Sequence, residues 1–290
     1  MDKTHVSVEL TTICNASCIF CFTHSPLLTN PYKHSIKYID ENIFSKAISD
    51  PSIKFVHLFA NGEPFLHPAF YDFAKEAKAQ GKIVEVHTNF TKVDISRVSD
   101  IDSLIVNLPA GSKKDYEKLR SKTNFAEVEK NLLELQGLEK RPRLCISLLL
   151  NSISMDRGII RRFLDTVSRI KPDVVKIWPM ESRPGLEHLV PQLNQEEFHE
   201  FVIDTMEMAK LLNVNLVFEN FSFSVGEKIK ATLPIECPRT FIVNIDGSVS
   251  FCPINRNVKL QNFYKGDLDK EIKDLISSGN LNICDYCPLK

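Results

Sequence analysis

His5-Val6-Ser7-Val8-Glu9-Leu10-Thr11-Thr12-Ile13-Cys14-Asn15-Ala16-Ser17-Cys18-Ile19-Phe20-Cys21 is the stretch on which the architecture turns. It begins as a β-like segment and ends with three cysteines inside eight residues, Cys14, Cys18 and Cys21. Three thiolates so spaced can cap three irons of a cubic 4Fe-4S cluster, and no fourth cysteine lies nearby to close the remaining iron. A structural zinc site wants four closed ligands, usually with a repeated two-residue gap; here the first gap is three residues, and a residue such as His24 would have to complete the set. A disulfide framework fits less well. The chain is long, shows no signal peptide, and keeps its cysteines in two terminal groups with Cys145 between them.

At 290 residues and 43% hydrophobic composition, the chain is large enough for one sizeable core and a smaller appendage. Lys plus Arg (36) nearly balances Asp plus Glu (37), which speaks against nucleic acid and anionic membranes as partners. No apolar stretch approaches a bilayer span, so a cytoplasmic location is expected, where thiols stay reduced.

Outward from the opening stretch, segments rich in β-branched and aromatic residues alternate with helical periodicity, the sign of βα units on a parallel sheet. Strands are expected at about 5–11, 54–60, 83–88, 103–109, 144–150 and 174–178, with a seventh extended piece at 215–219. Helices are expected at about 40–49, 68–80, 94–100, 125–138, 155–170 and 194–212. Six units predict an incomplete, curved barrel. Functional groups of such folds gather at the carboxyl ends of the strands, and here the cysteine trio, Asn61-Gly62-Glu63-Pro64 and Thr88-Asn89 all fall on that rim. After about residue 220 the pattern changes to a hairpin, 241–245 and 248–252 around Asp246-Gly247, and a short helix at 267–277. The expected division is therefore 1–220 and 221–290.

Cys237, Cys252, Cys284 and Cys287 make a second group able to close a tetrahedral metal, zinc or a fully ligated 4Fe-4S cluster. A cluster closed on every iron suits electron relay, a redox sink or scaffolding.

The run Cys14, Cys18, Phe20, Cys21 matches Cys-x3-Cys-x-aromatic-Cys, and the chain thereby resembles the radical S-adenosylmethionine (radical SAM) enzymes. Asn61-Gly62-Glu63-Pro64 looks like that family's Gly-Gly-Glu-Pro segment, which binds the methionyl amino group, with Asn61 in place of the first glycine. The C-terminal cysteines are similar to the auxiliary-cluster domain called twitch, and this shortened form is expected in place of the longer SPASM version. The resemblance implies an α/β fold, a partial (β/α)6 radical SAM barrel with a small C-terminal α+β twitch-like domain. It implies S-adenosylmethionine and two 4Fe-4S clusters as cofactors, with the open iron chelating the methionyl amino and carboxylate groups. One electron then splits the sulfonium to a 5′-deoxyadenosyl radical. Such a radical takes hydrogen from an unactivated carbon, so the lumen must exclude water and hold the target close.

Further positions follow from the resemblance. Asn89 corresponds to a residue near the cofactor, Asn107 to a serine near the ribose and methionyl groups, and Arg120 to an arginine of many members, although a solvated helix-end cation is the alternative. On the fifth strand Cys145, Ser147, Leu149 and Asn151 share the more polar face, which makes Ser147 a ribose candidate. Trp178 and Met180 are candidates to flank the adenine, with ordinary apolar packing as the alternative. Cys145 is either inert packing or a hydrogen-atom donor to a substrate radical.

Two reactions remain open. In one, a substrate radical gives its second electron to the auxiliary cluster, as in sugar-alcohol dehydrogenases and peptide cyclases; in the other, it is quenched and a centre is inverted. The expected partners are a small-molecule or peptide substrate and an electron donor such as flavodoxin or ferredoxin. Many peptide-modifying members begin with a leader-binding domain, whereas the first barrel strand is expected here near residue 5; the expectation leans toward a sugar or aminocyclitol, although some peptide epimerases also lack that domain. A non-catalytic protein stapled by metals is the alternative from another class; Glu63 on the second strand end speaks against it, since a staple needs no carboxylate there.

Overall fold

The computed structural model describes residues 5–29, 35–59, 61–180, 182, 184–219, 221–222, 230–231, 240–251, 259–260, 263–264, 270–271, 274 and 277–278. Seven strands run parallel and lie side by side in chain order: β1 His5–Val8, β2 Phe55–Leu58, β3 Ile83–Thr88, β4 Ser103–Asn107, β5 Arg143–Leu150, β6 Val174–Pro179 and β7 Leu216–Phe218. Six helices are interspersed among them: α1 Glu41–Ile48, α2 Phe70–Ala79, α3 Lys113–Leu119, α4 Phe125–Gln136, α5 Arg157–Ile170 and α6 Gln195–Leu211. On the far side of β1 the sheet continues through β8 Thr240–Val243, parallel to β1, and then β9 Val249–Phe251 and β10 Lys259–Leu260, both antiparallel to their neighbours. The result is a mostly parallel ten-stranded sheet.

Strand alternation separates two faces. Val6, Val8, Val56, Leu58, Val84, Val86, Leu104, Val106, Ile146, Leu148, Val175 and Ile177 are fully buried and form the core with the helices. The opposite face carries Ser7, Glu9, His57, Glu85, His87, Asn107, Ser147, Lys176 and Trp178. That face is concave. The rings of His87 on β3 and Trp178 on β6 lie 6.2 Å apart, although two strands intervene and a flat sheet would separate them by about 14 Å. The sheet therefore curls on its polar face, consistent with a partial barrel.

Helix starts follow local chemistry. Asp40, Ser112, Asn124 and Asp156 each accept a backbone N–H of their helix's first turn, and Asn194 with Glu197 makes a reciprocal capping box. The sequence expectation for 94–100 is met by a 3-10 turn over Ile95–Asp100, and α3 lies in a stretch where no helix was expected. The expected strand 5–11 ends at Val8, and the hairpin's two-residue turn is a longer loop over 244–248. There Asn244 N–H donates to Ser248 O at 2.8 Å, and Gly247 takes the positive φ of 80°. Most of the expected helix 267–277 lies outside the described residues, as do Cys237, Cys252, Cys284 and Cys287. Among the described residues no helix is long and apolar enough to cross a membrane.

Candidate cluster and cofactor site

The loop that follows β1 is shaped by its own hydrogen bonds. Cys21 N–H donates to Cys18 O at 3.1 Å, Ser25 N–H to Cys21 O at 3.1 Å, and Ser25 Oγ to Ile19 O at 2.6 Å. A two-residue antiparallel bridge, Ser17–Cys18 against Arg120–Ser121, fastens the loop to the end of α3, and Ile19 N–H reaches Leu119 O at 3.0 Å.

Each of the three sulfurs meets a hydrogen-bond donor. Cys14 Sγ lies 3.4 Å from Ala16 N, Cys18 Sγ lies 3.0 Å from Arg120 Nε, and Cys21 Sγ lies 3.3 Å from His24 N and 3.1 Å from Thr23 Oγ1. Donors aimed at sulfur do little for a neutral thiol but much for a thiolate. Burial nevertheless pushes the Cys14 thiol up to about 12 and raises that of Cys18. Cys14 and Cys18 therefore need an added positive charge to ionise at neutral pH, which a bound metal group would supply.

The residues fit a cluster better than a single ion. Among the described residues, no three His, Cys, Asp or Glu side chains converge as one metal ion requires. A cubic cluster asks for less, because each thiolate binds a separate iron. His24, which would have completed a zinc site, turns its Nε2 to the Asn61 carbonyl at 2.7 Å.

Asn61 to Pro64 follows β2 and presses against the same loop. A Cβ on Gly62 would lie 2.3 Å from Thr11 O and 2.6 Å from Ile13 O, so only glycine permits this approach. Glu63 N–H donates to Ile13 O at 2.8 Å. The Glu63 carboxylate is buried and accepts from Thr88 Oγ1 at 2.5 Å, Asn89 N at 2.7 Å and Phe65 N at 3.4 Å. Burial raises its pKa against these bonds, which hold the charged form. Thus Glu63 ties three chain segments together, and Pro64 opens the short helical turn behind it.

Asn89 follows the end of β3 and turns toward the cysteine loop. Its Nδ2 is 3.0 Å from Asn15 Oδ1 and 4.0 Å from Cys14 Sγ, while its Oδ1 accepts from Thr91 N–H at 3.0 Å and Thr91 Oγ1 at 2.6 Å. Phe90 beyond it is fully buried yet has φ of 61°, a conformation costing about 1–2 kcal/mol outside glycine. That turn aims Asn89 N–H and Thr88 Oγ1 at one carboxylate.

The solvated alternative for Arg120 does not hold, since it is 2% exposed. Its Nη1 donates to Asn107 O at 2.8 Å and its Nη2 to Asn107 Oδ1, so one guanidinium joins Cys18 to Asn107. Ser147 faces Asn107 in register. Phe20 is buried in the main core.

Trp178 and Cys145 stand apart from these. Cys145 packs with Ile105, Val174 and Trp178 on the concave face, one alternate position before Ser147, and burial pushes its thiol up to about 12. Trp178 Nε1 donates to Glu219 Oε2 at 3.0 Å. Met180 is buried in the main core.

Several site residues had no sequence signal. Buried Glu9 accepts from Asn61 Nδ2 and, at 3.1 Å, from Ile245 N–H, bonding the β2 rim to the β8–β9 loop. A chain of contacts also crosses the concave face: His5 Nδ1 to His57 Nε2 at 2.9 Å, His57 Nδ1 to Glu85 Oε1 at 2.9 Å, and His87 Nε2 to Glu85 Oε1 at 3.3 Å. Beside it, Lys176 Nζ lies 2.9 Å from Glu219 Oε1.

Comparison with known proteins bears on this geometry. The sequence signature of the radical SAM superfamily matches residues 8–157, more than half of the 290-residue chain. The tungsten-containing aldehyde ferredoxin oxidoreductase cofactor-modifying protein of Pyrococcus furiosus is 27% identical over 108 residues, 36% of this chain and 29% of that protein. Streptococcus suis SuiB bound to the precursor peptide SuiA is similar in fold, with TM-score 0.72 and 12% identity over 97% of this chain and 67% of SuiB. Native anSMEcpe with bound AdoMet has TM-score 0.68 and 16% identity over 92% of this chain and 81% of its own.

Proposed function

Because the chain belongs to the radical SAM superfamily, we propose that Cys14, Cys18 and Cys21 hold a 4Fe-4S cluster beside a bound S-adenosylmethionine. The observation that carries this reading is that each sulfur meets an N–H donor within one rim that also buries Glu63. When bound, the cluster and S-adenosylmethionine supply a 5′-deoxyadenosyl radical. The remaining work belongs to the chain. Glu63 fixes the 61–64 segment against the cysteine loop, leaving its backbone to receive the methionyl amino group. Asn89 and Asn107 stand at the neighbouring strand ends, Ser147 lies within β5 in register with Asn107, and Arg120 keeps Cys18 and Asn107 in place.

The substrate reading is a peptide, whose carbon centre loses a hydrogen atom on the concave face. SuiB bound to its precursor peptide and anSMEcpe with the Cp18Cys peptide support it, as proteins of like fold. Cys237, Cys252, Cys284 and Cys287 would hold a second cluster, which would supply an acceptor for the substrate radical's electron as a proton leaves, so that the product is dehydrogenated or cross-linked.

A second reading is supported by Cys145, a thiol kept protonated on the concave face. It would return a hydrogen atom to the radical and invert the centre. Turnover in heavy water separates the two. Oxidation yields product without solvent deuterium, epimerisation yields one deuterium per product, and failure of the wild type to form 5′-deoxyadenosine under reduction overturns both.

A further inference from the structure

The cluster needs an electron from outside, and the concave face is given to cofactor and substrate. The cysteine loop meets the surface elsewhere, at Asn15, near its bridge to Arg120–Ser121 at the end of α3. Two adjoining depressions cover this spot. One is lined by Lys113, Lys114, Glu117 and Lys118; the other also touches Glu117 and includes Lys92, Lys122 and Asn15, the residue following Cys14. All five lysines are exposed. Lys92 is paired with Glu127 at 3.1 Å and Lys113 with Glu117 at 3.9 Å. Lys114, Lys118 and Lys122 enter no ion pair among the described residues. Buried Asp115, the remaining acid of α3, is bonded to Arg162 at 2.6 Å. A chain of net charge −1 thus places five lysines against two glutamates over its cysteine loop. Lys122 moreover occupies a φ of 66°, where glycine or asparagine is the ordinary choice.

We propose that this face, the exposed side of α3 with the turn at 121–124, docks an acidic one-electron carrier of the flavodoxin type. The inference rests on the cluster reading above. Charge complementarity steers an acidic partner to the patch, and steering of this kind raises association rates by roughly 10–1,000-fold and fades with salt. The covalent route inward is short: Lys118 and Lys122 each stand two residues from Arg120, whose Nε touches Cys18 Sγ at 3.0 Å.

The test uses the full chain and flavodoxin hydroquinone, following loss of cluster absorbance by stopped flow. The charge reversal Lys114→Glu, Lys118→Glu, Lys122→Glu is compared with a control reversal at Lys54, Lys140 and Lys210. The first should slow reduction by flavodoxin at least tenfold at low ionic strength, and the control should not. Photoreduced deazaflavin, a small neutral reductant, should reduce every variant at the wild-type rate. An unchanged flavodoxin rate overturns the proposal, as does an equal fall with deazaflavin or in the control. Calorimetric affinity of flavodoxin for the cluster-free chain must also weaken on reversal. Should no cluster assemble in the wild type, the functional reading falls and this affinity alone judges the docking face.

Discussion

Replacing Gly62 by alanine probes the contact between the cysteine loop and the second strand end. The new methyl carbon would stand 2.3 Å from Thr11 O, where ordinary contact begins at 3.4 Å, so the two segments must part by about 1 Å. Both blocking atoms are backbone, and no rotamer change relieves them. The parting stretches the 2.8 Å bond from Glu63 N–H to Ile13 O beyond useful length. Overpacking and the lost bond together cost roughly 2–4 kcal/mol. Because Ile13 precedes Cys14, the variant should also bind less iron after anaerobic reconstitution. Gly81→Ala is the control. Its φ of 71° makes alanine cost roughly 1–2 kcal/mol, but nothing lies within 4 Å, so stability falls while iron binding stays intact. Denaturant titration and iron analysis read both effects, and a Gly62→Ala protein with wild-type stability and full iron content would refute the reasoning.

Glu85→Gln should destabilise the protein at pH 7 by roughly 2 kcal/mol, by removing charge-assisted bonds to His57 and His87. Burial raises the Glu85 pKa, but those bonds outweigh it and hold the group well below its ordinary 4.5; the stability is present above that pH and lost as pH falls, so the gap to the variant should close in acid. Urea titrations at pH 5 and pH 3, on either side of the ordinary carboxylate value, check this, and a gap that widens from the first to the second would contradict it. Arg120→Lys withdraws a cationic N–H from Cys18 Sγ and should lower the cluster's reduction potential, read by a redox titration; an unchanged potential would speak against the contact. Cys145→Ala should cost roughly 1–2 kcal/mol in either reading, yet abolish solvent deuterium uptake only if the thiol is the hydrogen donor.

Much of the sheet was legible because its strands alternate so regularly. Val6, Val8 and Leu10 against Ser7, Glu9 and Thr11 already announce one buried and one polar face. The cysteine spacing and Asn61-Gly62-Glu63-Pro64 were legible for a different reason, since contacts set by local chain geometry leave local patterns. What escaped depends on register between distant segments. Nothing near Glu9 reveals that it would bond Asn61 and Ile245, and the His5, His57, Glu85 and His87 contacts exist only because β1, β2 and β3 pair as they do. The placement of β8 beside β1 is likewise a long-range pairing that no local propensity records. Arg120 was ambiguous by sequence because an arginine at a helix end is ordinarily solvated; its burial follows from the bridge to Ser17–Cys18. The 3-10 turn at 95–100 carries a helix's start signal, Asp94 accepting from Ser96 N–H, without the length to settle into α geometry.

The most direct measurement is electron–nuclear double resonance on the reduced, reconstituted protein mixed with S-adenosylmethionine carrying nitrogen-15 in its amino group. The account requires a hyperfine coupling from that nitrogen, lost in the Cys14, Cys18, Cys21 triple alanine variant. A coupling from an imidazole nitrogen such as that of His24, present without the added compound and undisturbed by it, would contradict it.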